Sequence, residues 1–320
     1  MFKRLKKELG LSQNRELNFQ IPRDPQAFYE DFGCLPHPRL RDENGLPIIS
    51  KSLTTYQIDA WKYPGNLLVV KSNKVGMTTS FSLEDFQTRL LPEFAGHDVL
   101  LVGQTNRMAN EHVHDLKRLI RSSKKYSKFL IEKPDEDLMR EEISKVSVAL
   151  IRNPYDPKRP SRIIGIGSSE ATAYSWKNIN RIHMSDASLL PIKDQQEFFG
   201  ALYSRLANTN GIIKIESIPN GQQGEVWNVY RKSKQQASSE DTLDVAKDPE
   251  MMASKFRVME VAAREAVQAG LITQEFLDQE KRELGDLLYQ QLYECRFVSS
   301  ANQWYKEDWI YTEHYGVGKY

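Results

Sequence analysis

The sequence predicts an α/β fold: a mainly parallel sheet covered by helices on both faces, followed by a small helical subdomain. Two observations predict it. Short, continuous apolar runs recur along the chain, as in "NLLVV" (66–70), "HDVLLVGQT" (97–105), "SRIIGIGSS" (161–169), "INRIHMSD" (179–186) and "GIIKIES" (211–217). Helix-patterned stretches of a dozen or more residues separate the earlier runs, as in 78–91 and 106–123. Apolar strands alternating with helices mark a parallel sheet buried on both faces.

The elements follow in order. Residues 1–50 are rich in Pro, Arg and Asp and show little periodicity, so they read as an irregular lead-in. At its start "MFKRLKKELG" reads as a basic amphipathic helix with Phe2, Leu5 and Leu9 on one face, and it lacks the apolar core of a signal peptide. Residues 51–232 form the α/β core. Within it, "KVSVALIRNPYDPKRPSRIIGI" (145–166) predicts two strands joined by a proline-rich turn, an embellishment on the sheet. Residues 233–320 comprise a polar, weakly patterned connection (233–254) and a helical lid or linker. Thr273 is the expected N-cap there, with Gln274 and Glu275 in the first turn, and Phe276, Leu277, Leu284, Leu287 and Leu288 at helical spacing.

Composition narrows the function. The 320 residues are 40% hydrophobic and 27% charged, ordinary for a globular chain with a sizeable core. A net charge of +1 supplies no global attraction to nucleic acid, so any such contact must come from a local patch. The richest is "KRLIRSSKKYSK", with Lys117, Arg118, Arg121, Lys124, Lys125 and Lys128. Cys34 and Cys295 lie far apart, form no metal spacing, and read as structural thiols of a reducing compartment. No apolar run approaches the ~18 residues of a membrane span. His112 and His114 stand two apart on a helix and share no face, so zinc is not expected. His183, between Ile182 and Met184, reads as a packed, satisfied side chain.

The chemistry concentrates in "LLVVKSNKVGMTTS" (67–80): a buried strand, a polar turn containing Gly76, then Thr78-Thr79 opening a helix. This is the grammar of a phosphate-binding loop, G-x-x-x-x-G-K-[ST], with Lys71 in place of the first glycine and Met77 in place of the lysine. Backbone N–H groups along Ser72, Asn73, Lys74, Val75, Gly76, Met77, Thr78 and Thr79 would surround phosphate oxygens at the helix N-terminus. The phosphate cation comes from Lys71 or Lys74, and the Thr78 hydroxyl is placed for Mg²⁺. Upstream, Tyr56 and Gln57 suit an adenine, one stacking and the other donating and accepting at the base edge. Strand 179–186 delivers Asp186 at its end, as a metal- or water-directed carboxylate requires, though as a lone acid between Ser185 and Ala187. The next strand runs into "SIPNG", placing Ser217 and Asn220 to sense the terminal phosphate.

In that order these motifs resemble the ATPase domain of viral terminase large subunits, the DNA-packaging motors of tailed phages and archaeal viruses. "ESIPNGQQGEVWNVY" resembles the family's coupling motif, "SDAS" its Walker B ending, and "KSNKVGMTTS" the deviant Walker A loop of lambda-type terminases. "LITQEFLDQEKRELGDLLYQQLYECRFVSS" resembles the segment linking ATPase to nuclease, so the likeness spans about residues 50–300.

The resemblance implies a P-loop NTPase of the ASCE/RecA-like class that binds ATP and Mg²⁺. Lys71 then takes the phosphate role with Lys74 second, Thr78 and Asp186 serve the metal, and Asp186 stands where the catalytic glutamate belongs. Ser185 stands where the Walker B aspartate belongs. Ser217 and Asn220 relay the phosphate state, and a neighbouring subunit contributes an arginine, with Arg152, Arg162, Arg181 and Arg205 as candidates. Double-stranded DNA, contacted through its backbone, a portal protein and a small terminase subunit are the implied partners. A homo-oligomeric ring docked on a procapsid in the host cytoplasm, with no membrane, is the implied setting. No acidic cluster for the family's nuclease follows residue 300, so DNA cutting is not expected of these residues. The rival readings are a superfamily-2-like translocase, which should carry a second ATPase-like lobe, and a catalytically degenerate ATP-binding scaffold.

Overall fold

The computed structural model describes residues 20–41, 43–132, 147–168, 176–190, 192–238 and 256–298. The amphipathic segment with Phe2, Leu5 and Leu9 and most of the polar connection 233–254 lie outside them. The strands are β1 (Leu35–Arg41), β2 (Pro47–Ser50), β3 (Leu67–Lys71), β4 (Asp98–Gly103), β5 (Val148–Ile151), β6 (Ser161–Gly167), β7 (Ile179–Ser185), β8 (Ile212–Ser217) and β9 (Arg257–Val261). The α-helices of the described residues are α1 (Pro25–Phe32), α2 (Thr55–Lys62), α3 (Met77–Arg89), α4 (Asn106–Ser122), α5 (Ile192–Leu206), α6 (Gly224–Ser238), α7 (Ala263–Gln268), α8 (Gln274–Leu284) and α9 (Asp286–Tyr293).

Among the described residues, seven strands form one sheet in the order β5-β6-β4-β7-β8-β3-β9. All neighbours run parallel except β5, which pairs antiparallel with β6 as the edge embellishment the proline-rich turn predicts. β8 is wedged between β3 and β7, with Glu216 opposite both Val69 and Ser185. The ends of all three strands therefore meet at one edge.

The two faces of these strands differ. Leu68, Val70, Ile182, Met184, Ile213 and Ile215 point into an apolar layer with Phe198, Phe199 and Leu202 of α5 and Val226 and Val229 of α6. The alternate positions Lys71, Arg181, His183, Ser185, Lys214 and Glu216 are also buried. The side-chain period of two sends them to the opposite face, beneath α3. That helix answers with buried Glu84, Asp85 and Arg89. The strands are thus not the uniformly apolar runs they first resemble: half of their buried side chains are charged or polar.

Two expectations are corrected. The lead-in is not irregular: Asp24 caps α1 by accepting from the Ala27 N–H, Pro25 occupies its first turn, and left-handed Gly33 closes it. Phe28 and Phe32 of this short helix pack with Trp61, Phe86 and Tyr126, and β1 and β2 form an antiparallel hairpin. The C-terminal part adds β9, an edge strand absent from the sequence reading, and its helical pattern is broken. Thr273 caps α8 as expected, accepting from the Phe276 N–H, but Gly285 ends that helix at φ 73°. The break leaves Leu287 and Leu288 46% and 37% exposed instead of in the core with Leu277.

Candidate nucleotide site

Lys71 ends β3, and the turn 72–76 leads into α3 through Gly76, which caps the helix at φ 73°. The left-handed conformation calls for glycine; a Cβ there would stand 2.9 Å from Gln57 Nε2, the movable end of a side chain. Lys74 also takes the left-handed region, φ 65°, and its side chain is exposed. The loop is braced from behind. Ser72 N–H donates to Val261 O at 2.8 Å, and Asn73 N–H to Leu292 O at 3.0 Å, tying the turn to β9 and α9. Val75 and Met77 are buried, while Thr79 lines the cavity described below.

Lys71 reaches across to the end of the neighbouring strands. Its Nζ lies 3.0 Å from Asp186 Oδ1 and 3.1 Å from Glu216 Oε2, with the lysine side chain 9% exposed and Glu216 0%. Burial alone would lower its pKa, but the two carboxylates outweigh that and hold it charged, above its ordinary value. Glu216 is held ionised, below the usual range: burial opposes this, and Lys71 and then His183 outweigh it. Asp186 is shifted upward, by burial first and then by the Glu216 charge. Glu216 Oε1 accepts from the Thr78 hydroxyl at 2.6 Å and from the Ser185 hydroxyl at 2.7 Å. The lone-acid reading of this strand edge is therefore corrected: a second carboxylate comes from β8. The alternation Ile213-Lys214-Ile215-Glu216 in "IIKIES" is the signal that marks it.

Beneath this pair runs a buried ionic layer. His183 Nδ1 lies 2.9 Å from Asp85 Oδ2, and its Nε2 3.9 Å from Glu216 Oε1. Burial would lower the imidazole pKa, but Asp85 raises it to about 9, so His183 is charged at neutral pH and not simply packed. Arg181 bridges Glu84, at 2.7 Å, and Asp85. Lys214 Nζ donates to Glu84 Oε1 at 2.5 Å and to Ala60 O at 2.7 Å, with its pKa lowered by burial to about 8. Arg181, consumed here, is withdrawn as an arginine offered to a neighbouring subunit. Arg162 is engaged by Asp98 at 2.6 Å.

The remaining predicted residues divide into two groups. Tyr56 and Gln57 sit beside the loop: Tyr56 OH donates to Val75 O at 3.0 Å, and Gln57 Nε2 to Gly76 O at 3.1 Å. Gln57 also completes a capping box with Thr54. Both line a cavity of about 810 Å³, together with Lys74, Gly76, Thr79 and Glu265. That volume suits a nucleotide-sized ligand, but the cavity lies on the Lys74–Gly76–Thr79 side of the loop, and Lys71, Thr78, Asp186 and Glu216 do not line it. Ser217 and Asn220 instead brace the turn that follows Asp186. The Ser188 N–H donates to Ser217 Oγ at 2.9 Å, and Asn220 Nδ2 donates to Ser188 O at 3.0 Å. Asp186 itself is left-handed, φ 49°, a conformation these bonds hold in place.

The basic patch on and after α4 is largely engaged within the chain. Arg118 pairs with Asp115, Arg121 with Glu132 and Lys125 with Asp31, and Lys117 is half-buried. Its outward positive field is correspondingly reduced. Lys124 and Lys128 are exposed.

The donors at the strand edge suit a small hard cation. Thr78 and Asp186 present oxygen, the ligand class of Mg²⁺, next to a helix N-terminus that suits phosphate.

No protein-family model matches the sequence, and no curated protein does. Solved structures match its fold. The large terminase ATPase domain of Thermus phage P74-26 superposes with a TM-score of 0.58 at 13% identity, covering 88% of this chain and 100% of that one. The HK97 bacteriophage large terminase gives 0.56 at 11% identity, covering 85% and 54%. The large terminase of another thermophilic bacteriophage, in complex with ATP-gamma-S, gives 0.52 at 11% identity, covering 77% and 53%. The chain thus spans about half the length of these last two proteins. With a seven-stranded, mainly parallel sheet and a phosphate-type loop between β3 and α3, it has the fold of the phage large terminase ATPase domains.

Proposed function

We propose that this chain is the ATPase of a viral DNA-packaging motor, coupling ATP hydrolysis to translocation of double-stranded DNA into a procapsid. The observation that carries the reading is the position of Lys71 Nζ, between Asp186 and Glu216 and beside the first turn of α3. A buried ammonium held by two carboxylates at a helix N-terminus is a cation stored where phosphates would arrive. A thermophilic-phage large terminase of the same fold has been solved in complex with ATP-gamma-S, which supports nucleotide binding as the reading for this fold.

The chemistry follows from the arrangement. On binding, Lys71 exchanges a carboxylate for a phosphate oxygen and neutralises charge that develops on transfer. The released Asp186 orients the attacking water and accepts its proton. Thr78 and Asp186 would hold Mg²⁺, which when bound would neutralise phosphate charge. Tyr56 and Gln57 close the base side of the cavity. Ser217 and Asn220, bonded to the turn after Asp186, carry any shift of that turn into the β8–α6 connection. Contacts to DNA would be directed at its backbone, with Lys124 and Lys128 among the exposed cations of the patch. A portal protein, a small terminase subunit and further copies of this chain in a ring are the proposed partners.

The test is phosphate release by the wild type, Asp186→Ala and Lys71→Ala, each with and without double-stranded DNA and portal. Turnover by the wild type, stimulated by DNA and lost by at least roughly 100-fold in both variants, supports the reading. Equal, negligible turnover in all three with every partner present would leave a scaffold instead.

A further inference from the structure

Thr78 is placed for a metal, and its hydroxyl is best oriented toward one when its single proton is directed to an acceptor elsewhere. That acceptor is not on the expected strand. β7 ends in Ser185, whose hydroxyl is neutral and itself donates to Glu216. Glu216 lies on β8, in register with Ser185 on one side and Val69 on the other. From there its carboxylate serves three elements at once. Oε1 accepts from Thr78 at the start of α3 and from Ser185 at the end of β7, and Oε2 meets Lys71 at the end of β3.

Resting on the nucleotide reading above, we propose that Glu216 is the positioning residue of the magnesium site. From β8 it performs the task that Ser185 cannot perform from β7. It accepts a hydrogen bond from the Thr78 hydroxyl, so that the hydroxyl lone pairs face the loop, and it pairs with Lys71, which Asp186 also holds. The acidic residue of the site has in effect moved one strand sideways. The move is feasible because parallel register sets Ser185 and Glu216 side by side on the same face of the sheet. Asp186, one residue further along β7, remains the group that faces solvent, its side chain 27% exposed against 0% for Glu216. The two carboxylates therefore divide the labour: the outer one acts on ligand, and the inner one orients Thr78 and Lys71.

The experiment measures binding of a fluorescent ADP analogue with Mg²⁺ in excess and with EDTA, for the wild type, E216Q, E216D and S185D/E216S, alongside thermal melting. The readout is the gain in affinity that Mg²⁺ confers. Partners behind a metal ligand typically contribute about 10- to 100-fold. E216Q should therefore lose at least about 10-fold of the Mg²⁺-dependent gain while its affinity in EDTA stays within about threefold. S185D/E216S, with the carboxylate returned to β7, should recover most of the gain. A wild-type gain in E216Q overturns the proposal, as does an equal loss with and without Mg²⁺ accompanied by a lower melting point, which marks a merely structural role. Should E216Q fail to fold, E216D decides. Its shorter carboxylate withdraws from Thr78 but keeps its charge near Lys71, and an unchanged gain overturns the proposal. If the wild type binds no nucleotide under either condition, the nucleotide reading falls and takes this proposal with it. A binding wild type beside an indifferent E216Q removes this proposal alone.

Discussion

Replacing Arg181 with Met tests whether the ionic layer under α3 holds the fold together. The guanidinium side chain is 4% exposed and bridges Glu84 at 2.7 Å and Asp85. With an effective dielectric constant near 20, one such contact is worth roughly 6 kcal/mol gross, most of it offset by the cost of burying both ions. Removing one partner of a buried pair generally costs ~3–5 kcal/mol, because a charge is left uncompensated. Here each stranded carboxylate keeps one cation, Lys214 for Glu84 and His183 for Asp85. The methionine also refills most of the volume, so the lower end, about 3 kcal/mol, is expected. Urea unfolding followed by tryptophan fluorescence would show it as a lower midpoint at unchanged slope. As a control, Arg118→Met removes an exposed pair with Asp115 and should cost under about 1 kcal/mol. A loss for Arg181→Met no larger than this control would refute the reasoning, since the layer would then be as inert as a surface ion pair.

Three further outcomes are expected. Gly76→Ala must adopt φ 73° with its Cβ 2.9 Å from Gln57 Nε2, which should cost about 1–2 kcal/mol and weaken nucleotide binding, read by melting and by analogue fluorescence. Lys71→Met should lose nucleotide affinity by roughly 10- to 100-fold, the worth of a charge-assisted phosphate contact, whereas exposed Lys74→Met should lose under about threefold; the reverse order in a titration would move the phosphate role to Lys74. His183 has its pKa raised from 6.5 to about 9 in the fold, so its contribution to stability is complete below pH 6.5 and is lost as pH rises toward 9. Lys214, depressed by burial to about 8, works in the opposite sense and returns stability above that pH. Melting temperature should therefore fall from pH 6.5 to about 8 and then level off, and His183→Gln should flatten the fall.

Much of the fold is legible in the chain because its signals are local. The apolar runs that become β3, β4, β6, β7 and β8 need no partner to be recognised, and neither do Gly76 or the Thr273 cap. What escaped at this level was still present as short-range chemistry. Asp24-Pro25 and Gly33 bracket α1, but eight residues carry too few turns for periodicity to stand out against a Pro-rich background. β9 escaped because an edge strand with exposed Arg257 and Glu260 lacks the continuous apolar run of a central one. Leu287 and Leu288 keep helical spacing from Leu284, yet Gly285 resets the helix axis and turns them outward.

Local sequence suffices to bring a strand, a glycine turn and a helix start together with Lys71, Gly76 and Thr78 in fixed order, because neighbours along a chain cannot be far apart. It also places Asp186 at the end of a buried strand. That β8 lies between β3 and β7, and that parallel register sets Glu216 against Ser185, emerges with the folded sheet alone. Those relations join residues 31 to 145 positions apart, such as Ser185 with Glu216 and Lys71 with Glu216. No local pattern encodes which strand will be a neighbour; sheet order is settled by how the whole chain buries its apolar face. The charges then follow, since a lysine, an arginine and a histidine carried under α3 are stable there only beside the carboxylates that the same packing supplies.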